Sequence, residues 1–96
     1  MIGKRIVLYG AGNVGVDYYS QICRIPDCKI VLWVDTQKKS YNTYCEIGSV
    51  DDISQAEYDV IVIAIKSLEM GKKIKLNLMQ MGIKEERILC EVPEYV

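Results

Sequence analysis

Apolar positions along this chain fall into blocks whose period switches between strand and helix. Residues 4–9 form a nearly continuous apolar run, as expected of a strand buried on both faces. From residue 13 to about 24 the spacing turns helical, with Val14, Tyr18, Ile22 and Ile25 on one face, and Pro26 and Asp27 end the helix. Residues 29–34 read as a second apolar strand, closed by Asp35. Residues 36–43 are polar and aperiodic, a surface loop, and 44–47 suit a short edge strand. A brief helix over 49–55 has Ser49 as its N-cap, with Asp51 and Asp52 in the first turn. Residues 60–65, Val-Ile-Val-Ile-Ala-Ile, are the most hydrophobic segment, and their β-branched density marks a central parallel strand. Lys66, Ser67 and Leu68 form a loop. The helix after it runs to about residue 81, with Met70, Ile74, Leu78 and Met81 on one face and Gly82 as its C′ glycine. Residues 84–86 make a turn and 87–90 a last strand, while Pro93 argues against further regular structure.

Strands alternating with helices of this length imply right-handed crossovers and a parallel sheet covered on both faces. The expected fold is α/β, three layers around a mainly parallel sheet of about five strands in the order 3-2-1-4-5, with the edge strand counted third. The switch point of that order falls between the first strand and the strand at 60–65. Ligands of open α/β sheets bind there, outside the carboxyl ends of the strands.

The stretch at that point is Ile6-Val-Leu-Tyr-Gly-Ala-Gly-Asn-Val-Gly15, with glycines at 10, 12 and 15 between a strand and a helix. Each glycine has a mechanical reason in a dinucleotide-binding turn. Gly10 lets the chain leave the strand sharply, Gly12 has no Cβ to hold a pyrophosphate off the backbone, and Gly15 lets the helix lie close to the strand. A bound anion there meets unpaired N–H groups and the positive end of the helix dipole. Asp35 ends the second strand, 20 positions after Gly15, where a carboxylate can accept from a ribose diol and repel a 2′-phosphate; this favours NAD over NADP. Lys38 and Lys39 read as solvated loop lysines. Lys66 and Ser67 are the polar side chains at the carboxyl end of the central strand, within reach of a phosphate or sugar. Tyr18 is expected to pack and its neighbour Tyr19 to cover surface, and Glu85 and Glu86 to form a solvated turn.

Size and charge narrow the rest. Ninety-six residues supply one core and no room for a second, catalytic domain. A net charge of −1 gives no electrostatic case for nucleic acid or an anionic membrane. No apolar run reaches a membrane span and no signal-peptide core is present, so the expected location is cytoplasmic. The four cysteines form no C-x-x-C pair and there is no histidine, which disfavours zinc and removes the commonest general base. Cys23 and Cys90 are expected to be small core hydrophobes.

With the glycine turn, Asp35, the Tyr58-Asp-Val-Ile-Val-Ile-Ala-Ile65 strand and the Met81-Gly-Ile-Lys-Glu-Glu-Arg-Ile88 ending in place, the chain resembles a known group. It is similar to the compact Rossmann-like nucleotide- or CoA-binding domains of bacterial polysaccharide-biosynthesis proteins. These include domains of nucleotide-sugar dehydratases and sugar acyltransferases, and modules attached to glycosyl- and phosphotransferases. The resemblance covers nearly the whole chain and implies a nucleotide-handling module in surface-sugar assembly, one domain of a longer protein. Its ligand-facing positions would be Gly10, Ala11, Gly12, Asn13, Val14 and Asp35. The chain departs from the group in showing no acyltransferase repeat, sugar-dehydratase motif or transferase domain.

The leading expectation is therefore a binding module for NAD, a nucleotide-sugar or another nucleotide, at Gly10, Ala11, Gly12, Asn13, Val14, Gly15, Asp35 and Lys66, with no turnover by itself. Two other readings stay open. One is the cofactor half of an NAD-dependent oxidoreductase; the other is an interaction domain that keeps the fold without a ligand.

Overall fold

A computed structural model describes residues 4–10, 12–35 and 47–90. In chain order these residues form β1 (Arg5–Tyr9), α1 (Asn13–Ile22), β2 (Lys29–Val34), a 3-10 helix (Val50–Gln55), β3 (Val60–Ile63), α2 (Leu68–Gln80), a second 3-10 helix (Glu85–Arg87) and β4 (Ile88–Leu89). The strands form one sheet in the order β2-β1-β3-β4, and every pairing is parallel. β1 and β3 are interior strands, as their unbroken apolar runs require. Ile6, Val7, Leu8, Ile61 and Val62 are all 0% exposed. Each such side chain contributes about 1.5–3 kcal/mol of hydrophobic stabilisation.

Helices cover the two faces separately. Val7, Tyr9, Ile61 and Ile63 pack under Ile74 and Leu78 of α2 and Ile53 of the first 3-10 helix. Ile6, Leu8, Val60 and Val62 pack with Ile22 of α1 on the opposite face, together with Trp33. Local signals fix the ends. Ser49 accepts from Asp51 N–H and Asp52 reaches back to the Ser49 N–H, a reciprocal cap. Gly82, at φ +97°, closes α2 with its own N–H on the Met79 carbonyl and that of Ile83 on the Leu78 carbonyl.

The described residues hold four strands, not five. Residues 44–46 of the expected edge strand, the expected loop at 36–43 with Lys38 and Lys39, Ala11 and Pro93 all lie outside them. What is described on the outer side of β2 is one parallel bridge between Val34 and Gly48. Gly48 N–H donates to the Trp33 carbonyl at 2.7 Å and its carbonyl accepts from Asp35 N–H at 3.3 Å. Residues 29 to 32 of β2 are exposed or half-buried.

Several expectations are corrected. The strand at 60–65 stops at Ile63, because its partner β1 ends opposite it at Tyr9. The last strand shrinks to Ile88 and Leu89, since Arg87 is drawn into the 3-10 turn, where its guanidinium donates to the carbonyls of Tyr58 and Asp59. The buried stripe of α2 is Gly71, Ile74 and Leu78, while Met70 and Met81 are 49% and 46% exposed. Met70 stands in the first turn of the helix and Met81 is its C-cap. Cys23 and Cys90 are both exposed. Cys23 caps α1 at the position after Ile22, and the core contact passes on to Ile25. Cys90 follows the last paired residue of β4.

One irregularity redirects a side chain. The β1–β2 register runs Ile6 opposite Ile30 and then Val7 opposite Leu32, so Val31 has no partner on β1. The slip inverts the alternation of β2 from that point. Trp33 thereby pairs with Leu8 and faces α1, whereas unbroken alternation would have paired it with Tyr9 on the other face.

Candidate functional site

The glycine turn leaves β1 at the carboxyl edge of the sheet, between the ends of β2 and β3. Gly10 adopts φ +114°, which side-chain-bearing residues rarely do. A Cβ there would also stand 2.6 Å from the Ala64 carbonyl oxygen. β2 holds both polar groups of this residue. Gly10 N–H donates to the Val34 carbonyl at 2.8 Å, and its carbonyl accepts from Trp33 Nε1–H at 2.7 Å in a buried position. Gly15 comes so close that a Cβ on it would lie 2.0 Å from the Gly10 oxygen. The close helix–strand approach read from the sequence is thus present, and it is an approach to the turn itself.

Gly12 is different in kind. It caps α1 with an ordinary extended backbone, φ −80° and ψ −162°, and an added Cβ would meet nothing within 4 Å. Neither conformation nor packing requires glycine there. Among the described residues no side chain caps α1, and no acidic residue occupies its first turn. The first N–H groups of the helix, with the positive end of its dipole, are left to solvent or to an anion.

Among the other expected positions, Asn13 is exposed, and Val14 is half-buried and packs towards the α1 face of the sheet. Asp35 directly follows β2 and is half-buried beside the turn. Its charge reaches Tyr9, whose phenol is pushed above its usual range chiefly by burial and secondly by Asp35. Lys66 is exposed after β3. Ser67, read as a loop residue, is the N-cap of α2 and accepts from Met70 N–H at 3.3 Å.

The residues that sequence reasoning missed are aromatic. Trp33 is 1% exposed, and it stacks on Tyr19 with ring centroids 4.8 Å apart and planes 12° apart. Tyr19 therefore does more than cover surface, which corrects the expectation for it. It lies four residues after Gly15 on the same helical face, and the glycine's close approach lowers the ring onto the indole. A single buried tryptophan one residue before the end of an apolar strand was the available signal, but its face depends on the slip at Val31.

Chemically, this edge offers the backbone N–H groups at the start of α1, the carboxylate of Asp35 and the exposed Lys66. Among the described residues no cluster of three or more potential metal ligands occurs, and no helix is long and apolar enough to cross a membrane. The structure thus defines an α/β domain built on a parallel sheet, with a tightly held glycine turn at its carboxyl edge. The chain belongs to the C2185-like, N-terminal family, whose profile matches residues 2–89. No curated protein matches it.

Proposed function

We propose that this domain is a nucleotide-binding module of Rossmann-like type, which holds NAD or a nucleotide-sugar at the Gly10–Gly15 turn and performs no chemistry alone. The observation that carries this reading is the division of labour among three glycines. Gly10 is required by its φ and Gly15 by contact, whereas Gly12 is required by neither and stands open at the uncapped start of α1. A pyrophosphate needs room at that position and N–H donors beside it. Asp35, half-buried at the end of β2, is the acceptor for a ribose diol, and Lys66, exposed after β3, is the cation on the other side of the turn. The bridge at Gly48 supports a fifth strand outside β2, which would complete the order 3-2-1-4-5.

The "N-terminal" in the family's description supports a place in a longer protein, and the resemblance set out above supports surface-polysaccharide assembly as the setting. Calorimetric titration with NAD, NADP, a nucleotide-sugar and CoA tests the reading, with the parent and Gly12→Val compared. Binding by the parent and its loss in a folded Gly12→Val variant are expected. A parent that binds none of the four refutes the reading, and a Gly12→Val variant that binds equally well places the ligand elsewhere.

A further inference from the structure

A cavity lies beyond the turn, under α2. Its volume is about 240 Å³, and Ile63, Ile65, Leu68 and Gly71 supply its apolar surface, with Lys72, Lys75, Ser67 and Cys90 around them. That is room for about eight waters at ~30 Å³ each, or for one aryl ring or short acyl chain.

Gly71 makes this space more than a surface dent. It sits in the first turns of a 13-residue helix and is buried. A glycine inside a helix weakens it relative to alanine, so it calls for a local reason. Neither usual reason applies. Its φ is not positive, and an added Cβ would meet nothing within 4 Å. Among the described glycines with ordinary φ, it shares this property with Gly12 alone. The volume that an alanine methyl would take at Gly71 belongs to the cavity.

Among the described residues the charged groups that line the cavity are both lysines, and no aspartate or glutamate does. Lys72 is exposed and makes no ion pair among the described residues, while Lys75 reaches Glu85 only at 3.9 Å. Ser67 uses its oxygen to cap α2, which leaves its O–H able to donate inward.

We propose that this cavity binds a small organic anion with an apolar body, which packs over Gly71 against Ile63 and Ile65 with its carboxylate or phosphate at Lys72 and Lys75. The site is separate from the nucleotide turn and does not depend on it. The two are neighbours along residues 64–67: Ile65 lines the cavity, its Cδ1 would lie 3.1 Å from a Cβ on Gly10, and Lys66 of the nucleotide site precedes the cavity residue Ser67.

The test is amide chemical-shift titration of the full chain with hexanoate and with phenyl phosphate, hexanol serving as the uncharged control, plus thermal melting. Saturable shifts are expected at residues 63–72 and at Cys90, and the more strongly shifting probe identifies carboxylate or phosphate as the preferred headgroup. Gly71→Ala should raise Tm and weaken binding about tenfold, and Lys72→Gln with Lys75→Gln should weaken it about as much while Tm stays near the parent's. Gain of stability together with loss of binding is the signature, since a merely structural glycine would lose both. No saturable shift up to about 10 mM of either anion overturns the proposal. So does hexanol binding as tightly as hexanoate, an undiminished affinity in Gly71→Ala, or a Tm that falls in that variant. None of these outcomes bears on nucleotide binding at the turn, which the Gly12→Val titration reads separately.

Discussion

Replacing Trp33 by phenylalanine removes one hydrogen-bond donor and part of one ring from the point where β2, α1 and the glycine turn meet. The donor is Nε1–H, 2.7 Å from the Gly10 carbonyl oxygen in a buried setting. Without it that carbonyl keeps its burial and loses its partner, which costs about 1–3 kcal/mol. The smaller ring leaves a cavity beside Tyr19, adding about 1 kcal/mol at roughly 24 cal/mol per Å³. The stack on Tyr19 survives in weaker form, since phenylalanine is still aromatic. Together these give a loss of about 2–4 kcal/mol, against a total stability of order 5–15 kcal/mol for a small domain. At about 4–8 °C per kcal/mol for this size, Tm should fall by roughly 8–32 °C.

Far-UV circular dichroism is the right observable, because Trp33 is the chain's single tryptophan and fluorescence would change with the mutation itself. A second variant isolates the hydrogen bond. Benzothienylalanine at position 33 keeps the fused ring but replaces the N–H by sulfur, so it should lose the 1–3 kcal/mol of the unsatisfied carbonyl and little more. A drop of less than about 4 °C in both variants would refute the reasoning, because the indole would then not be holding the turn.

Three further outcomes follow from the same contacts. Gly15→Ala should destabilise the domain by at least the 1–3 kcal/mol typical of overpacking, since its Cβ would stand 2.0 Å from the Gly10 oxygen, whereas Gly12→Ala should leave the melting curve nearly unchanged. Asp59 is held below the ordinary carboxylate range by the Arg5 backbone N–H first and the Arg5 side chain second, so its stabilisation is present above the unfolded pKa and lost as pH falls through the folded one. Asp59→Asn should therefore lower Tm at pH 7, with the gap to the parent closing below about pH 4. Tyr9 is raised above 10.0, so its contribution is present below that value and lost as pH rises through the folded pKa. Denaturant melts from about pH 8 to 11 should show a shallower alkaline decline in Tyr9→Phe than in the parent.

How much of this was legible beforehand depends on the range of the cause. The strands at the centre of the sheet, the Ser49 cap and the Gly82 terminus each depend on signals within a few residues, and they stand where the sequence put them. The neighbour relation of β1, β2 and β3, with β1 in the middle and all pairs parallel, follows from the crossover rule and is also present. What failed needed tertiary knowledge. Met70 and Met81 fit the helical period, but the face of α2 that packs on the sheet runs through Gly71, Ile74 and Leu78 and leaves both about half exposed. Cys23 and Cys90 are of a commonly buried type, but each occupies the first position past an element. At the candidate site, the glycine spacing told which positions matter, and only the coordinates separate Gly12, which has room, from Gly10 and Gly15, which have none.

The slip at Val31 ties these strands of reasoning together. A strand that alternates without interruption would have sent Trp33 towards α2, beside Tyr9, and left the Gly10 carbonyl to find another donor. A residue with no partner on β1 costs ladder regularity and leaves Val31 itself 36% exposed, a poor place for a β-branched apolar side chain. The return is local and specific. The largest side chain in the core is turned to the α1 face, where its N–H satisfies the turn and its ring supports Tyr19. The turn is then held from β2 through two contacts, the Val34 carbonyl and the indole N–H, while Gly15 of α1 lies close against it. The turn is thus fixed on the side of β2, while at Gly12 an added Cβ would meet nothing within 4 Å.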